Sequence, residues 1–73
     1  MTIDNTQLED SGERAEQIAN LQELIKVNRR RLNQRELQAA KLGLYADPVI
    51  PIEIEDLKRE IARLERQVQE LGG

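Results

Sequence analysis

The residues that could do chemistry in this chain are charged ones, gathered in two places. A basic run, Lys26-Val27-Asn28-Arg29-Arg30-Arg31, precedes an acidic cluster of Glu53, Glu55, Asp56 and Glu60. Arginine-rich segments grip phosphates, so the first suggests a nucleic-acid contact. Clustered carboxylates can hold a hard cation or share a proton between an acid and a base. A plainer reading fits both. Consecutive helical positions point around the helix, no aromatic side chains accompany the bases for stacking, and the net charge is −3. Glu53 and Asp56 flank an apolar stripe while Glu55 points away, which describes a solvated, ion-paired face. There is no Cys, His, Trp or Phe and a single Tyr. A zinc site of thiolates or imidazoles, a Cys or His nucleophile or base, and a disulfide are therefore excluded. The expectation is a non-catalytic chain with no metal and no cofactor.

The elements that carry these charges follow from apolar spacing. Ile54, Leu57, Ile61, Leu64, Val68 and Leu71 recur at alternating steps of 3 and 4, and Ile50 extends the series backward. That is a helix with a single apolar stripe, which needs another helix. A first helix is expected over 13–42, with the stripe Ile18, Leu21, Ile25, Asn28, Leu32, Arg35, Ala39 and Leu42, widened by Leu24 and Leu37. Residues 1–12 read as a flexible acidic arm or a frayed helix start, because they are polar and end in Ser11-Gly12. Gly43 sits where a left-handed residue closes a helix, and Leu44 just beyond could complete a Schellman-type apolar contact. Asp47 before Pro48 is a cap and first-position pair, so the second helix is expected over 48–71. Pro51 competes as a start because it lacks the first internal donor. Gly72 and Gly73 form a terminating tail.

Charge orients the pair. Residues 1–25 carry six acids and one Arg, residues 26–45 six bases and one Glu, and residues 46–73 seven acids and four bases. A short turn over 43–47 makes the helices antiparallel. Pivoting about residues 44–47 sets Arg29, Arg30, Arg31 and Arg35 opposite Glu53, Glu55, Asp56 and Glu60. The fold class is all-α, an antiparallel two-helix hairpin. Alone it leaves half of each stripe wet, so self-association into a four-helix bundle, with a dimer favoured, is expected.

On this reading Ile18, Leu21, Ile25, Leu32, Ile54, Leu57, Ile61, Leu64 and Val68 carry association. Asn28 sets register, as a polar stripe residue does. Arg35 snorkels or pairs with Glu55 or Glu60, and Glu60 contributes to partner choice. Leu44 and Tyr45 either pin the turn or form a contact tip. Leu71-Gly72-Gly73 looks like the tail of ubiquitin-like modifiers, but Gly-Gly after a helix is an ordinary stop. Nothing here has the pattern of an export signal or a membrane span, so cytoplasmic residence is the default expectation. Two rivals to an association module are a nucleic-acid-binding regulator using residues 26–35 and an antitoxin-like inhibitor that folds on a partner enzyme.

The stretch from Leu24 to Leu71 also resembles a known module. Asn28-Arg29-Arg30-Arg31-Leu32, Glu36-Leu37-Gln38-Ala39-Ala40, Gly43 with Pro48, and Ile52-Glu53-Ile54-Glu55-Asp56-Leu57 running into Glu60-Ile61-Ala62-Arg63-Leu64-Glu65 are similar to a helical hairpin of multidomain bacterial signalling and defence proteins. There it belongs to effector-associated, death-domain-like adaptor regions. Pro51 departs from that pattern, and no effector domain accompanies the hairpin in these 73 residues. The resemblance implies helix association that brings effector domains together, and no catalysis by this segment.

Overall fold

The computed structural model describes residues 5–43 and 47–73, with side chains from Gly12 onward in the first segment. They form two helices, α1 (Asn5–Leu42) and α2 (Val49–Glu70), packed against each other as a hairpin. Among the described residues there is no strand, and no helix is long and apolar enough to cross a membrane.

α1 begins well before the expected position 13, so residues 5–12 are helix rather than arm. The breaker at Gly12 is too weak to stop it. A glycine inside a helix costs about 1 kcal/mol relative to alanine, and Gln7, Leu8, Glu9, Glu13, Arg14 and Ala15 around it are favourable helix formers. No proline precedes Pro48, and a Cβ at Gly12 would meet nothing within 4 Å. At the other end α1 stops at Leu42, and Gly43 takes φ +57°, the left-handed value its position called for. Leu44 and Tyr45, the suggested turn contact, lie outside the described residues.

α2 starts at Val49, one residue after the expected Pro48, yet the capping chemistry is the expected one. The Asp47 carboxylate accepts a hydrogen bond from the Val49 N–H at 3.0 Å, and Pro48 already has helical dihedrals of −55° and −22°. Pro51 is accommodated because the Asp47 carbonyl, which would have accepted its missing N–H, accepts that of Ile50 instead at 2.9 Å. The helix closes in a Schellman arrangement. The N–H of Gly73 donates to Val68 O at 2.9 Å, that of Gly72 to Gln69 O at 3.0 Å, and Gly72 has φ +86°. The Gly-Gly tail is thus folded onto the helix end.

The helices run antiparallel. Arg29 pairs with Glu65, Arg35 with Glu53 at 2.7 Å, and a Cβ placed on Gly73 would fall 3.0 Å from Ile18 Cγ2. Numbers rise on one helix as they fall on the other. Because α1 has 38 residues and α2 has 22, the part of α1 before Ile18 projects past the end of α2. The result is a rod of 68 × 15 × 13 Å.

Candidate association surface

Writing each stripe as a heptad, with a and d facing the other helix, places Ile18, Ile25, Leu32 and Ala39 at a and Leu21, Asn28, Arg35 and Leu42 at d in α1. In α2, Ile54, Ile61 and Val68 take a, and Ile50, Leu57, Leu64 and Leu71 take d. The structure brings all the expected association residues to this seam. Leu64 is 2% exposed, Ile50 3%, and Ile61 and Val68 8% each. Ile18, Leu21, Ile25, Asn28, Leu32, Arg35, Ile54 and Leu57 are half-buried. The residues singled out for association therefore serve first as the internal seam of the hairpin.

Leu24 and Leu37 do not widen the stripe of α1. They are 50% and 62% exposed. Leu24 lies at its flank, and Leu37 falls about half a turn away, on the outer side. Leu42, Val49 and Ile52 are also exposed, around the turn end of the rod.

The polar residues pair differently from the expected scheme. Arg35 engages Glu53, not Glu55 or Glu60, and its guanidinium also donates to Gln38 Oε1 at 2.9 Å. The cause is register. Glu53 faces α1 at the level of Arg35, whereas Glu55 is turned outward and Glu60 lies nearly two turns along. Glu55 lies 3.9 Å from Lys58 on its own helix. Glu60 takes a two-pronged pair with Arg63, whose Nε donates to Glu60 Oε2 at 3.0 Å. Hydrogen bonding to Arg63 holds the Glu60 carboxyl below its ordinary value and raises Arg63 in return. Of the acidic cluster, only Glu53 crosses to α1. The Arg29–Glu65 pair joins two e positions, which meet only when the helices are antiparallel; Glu65 was not among the expected partners.

The basic run is split around α1. Lys26, Arg29, Arg30 and Asn33 border one shallow groove with Ile25, while Arg31 borders another with Arg35, Glu53, Asp56 and Leu57. Asn28, a half-buried d residue, sits at the level of Leu64, and no buried side-chain polar atom among the described residues lacks a partner. Near the end of α2 a third groove has Leu21 and Leu71 as its floor, with Gln17, Asn20, Gln67 and Glu70 as walls. Among the described residues there is no cluster of three or more potential metal-ligating side chains. Taken together, the surface offers shallow grooves along a half-open seam. No known family, characterised protein or solved structure matches the chain.

Proposed function

We propose that this chain is a non-catalytic association module, which packs helix on helix to cluster copies of itself and whatever effector they are joined to. The observation that supports the reading most directly is its surface. The chain exposes 6048 Å², whereas a globular monomer of its 8.4 kDa would expose about 4,600 Å². The excess comes from an open seam and a projecting helix, and it exceeds the ~800 Å² that each partner commonly loses in a stable complex. A hairpin with four buried side chains and five exposed large aliphatic ones among its described residues gains more by packing on another helix than by remaining alone. The resemblance to adaptor hairpins of bacterial defence proteins favours the same role, the clustered partner being an effector domain.

Sedimentation of the full chain at micromolar to submillimolar concentration tests this reading. A mass of two or more chains, falling on dilution, is expected. A cooperatively melting monomer over the whole range would overturn it.

A further inference from the structure

α1 is divided in charge about its midpoint, and the structure shows that only part of it is answered within the hairpin. From Gly12 to Glu23 it carries Glu13, Glu16 and Glu23 against Arg14; from Ile25 to Glu36 it carries Lys26, Arg29, Arg30, Arg31 and Arg35 against Glu36. The basic half lies along α2 and gives it Arg29 and Arg35. Of the acidic half, the part before Ile18 runs past the end of α2, while Asn20 and Leu21 lie beside Gln67, Glu70 and Leu71. Between the two halves stands Leu24, 50% exposed, with half-buried Leu21 and Val27 beside it on the same side of the helix.

This pattern is self-complementary. A two-fold axis through Leu24, perpendicular to α1, places Leu24 on its own equivalent and lays the acidic half of each α1 along the basic half of the other. Glu13 then lies at the level of the second copy's Arg35, and Gln17 at the level of its Arg31. An isologous contact requires like groups at the axis and unlike groups at equal distances on either side. Charge would match twice over, and the projecting segment of each α1 would lie beside the basic half of the other rod. A two-fold axis along the rod would leave both projecting segments at one end, acid beside acid.

We propose that the partner of this module is a second copy of the same chain, docked α1 on α1, antiparallel, about Leu24. The inference rests on the association reading above and adds its occupant, face and direction.

Charge-uniform variants test it. Lys26→Glu with Arg30→Glu and Arg31→Glu makes the second half of α1 acidic like the first, and Glu13→Arg with Glu16→Arg makes the first half basic like the second. Sedimentation and circular dichroism are read for each variant alone and for an equimolar mixture. Each variant alone should be a helical monomer at concentrations where the wild type is dimeric, and mixing should restore a dimer containing both. Leu24→Glu should weaken self-association about tenfold or more, with helicity retained. Leu37→Glu, on the outer side of the same helix, should leave it unchanged. If the wild type is an oligomer but the variants remain self-associated and indifferent to mixing, the face and direction are wrong while the association reading stands. If the wild type is a monomer throughout, both fall.

Discussion

The two helices contribute unequally to one seam. α2 is the shorter, with 22 residues, and among the described residues it holds the four buried side chains; α1 has 38 and, from Gly12 onward, holds none. The stripes differ in composition. That of α2 is aliphatic at every step from Ile50 to Leu71, whereas that of α1 is interrupted by Asn28 and Arg35 and thinned by Ala39. They also differ in what crosses over. α1 sends Arg29 and Arg35 across to Glu65 and Glu53. Among the described residues, the arginines of α2 make no such crossing. Arg63 is tied to Glu60 of its own helix, and Arg59 and Arg66 are exposed. The lesson is that a helix can form the well-buried half of a core because its partner is long and polar at the flanks. The partner then stays half-wet and available.

The largest effect that tests this asymmetry is truncation at its two extremes. Leu64→Ala should cost about 3 kcal/mol of unfolding free energy, because the side chain is 2% exposed and the cavity cannot be filled from outside. Leu32→Ala, the same chemical change at a half-buried position of α1, should cost roughly half as much. Urea unfolding at fixed chain concentration measures both. Equal losses would mean that α1 is as well covered as α2 and that the contrast is not real.

Much of this was legible in the sequence because it is local or periodic. The stripe steps place Ile61, Leu64 and Val68, and Gly43, Asp47 and Pro48 announce their turn chemistry within a few residues. The start of α1 was less legible. Ser11-Gly12 reads as a stop by residue type, yet it is a small penalty spread over a long run of good helix formers. Ion-pair partners were the hardest. Arg35 has several acids within nominal reach, and only the register of the packed helices selects Glu53 over Glu55 and Glu60. The exposure of Leu37 is a matter of phase, readable by counting residues from Leu32 round the helix.

The ends of α2 allow a second test of middle size. Asp47→Ala removes the carboxylate that accepts the Val49 N–H, and should cost about 1 kcal/mol. Gly72→Ala forces a Cβ into φ +86° and should cost on the order of 1 kcal/mol. Both should lower the thermal midpoint of the whole hairpin, since α2 supplies its buried side. A loss of helicity confined to a few residues, with an unmoved midpoint, would show that these ends fray independently of the seam.

Ion pairs should matter less. Both members of the Arg29–Glu65 pair are well exposed, so their coupling in a double-mutant cycle should be about 0.5 kcal/mol and should fade in molar salt. Arg29→Ala should nonetheless cost more than that coupling if its stem shelters α2. Arg29→Met, which keeps the stem and removes the charge, separates the two. Recovery of most of the loss would support the sheltering role, and no recovery would assign the effect to charge.

The smallest effect belongs to Glu60, which pairs within α2 and not across the seam. Hydrogen bonding to Arg63 lowers its carboxyl pKa, with the charge of Arg63 acting in the same direction. A carboxyl whose folded pKa lies below its unfolded one favours folding above the unfolded value of about 4.5 and loses that contribution as pH falls through the folded value. Wild type and Glu60→Gln should therefore differ slightly in melting temperature near neutral pH and converge in the acid range below pH 4.5. Because Glu60 and Arg63 are on one helix, the difference should follow helix content and leave chain association unchanged. A difference that instead grew with chain concentration would move Glu60 from the internal order of α2 to the contact between copies.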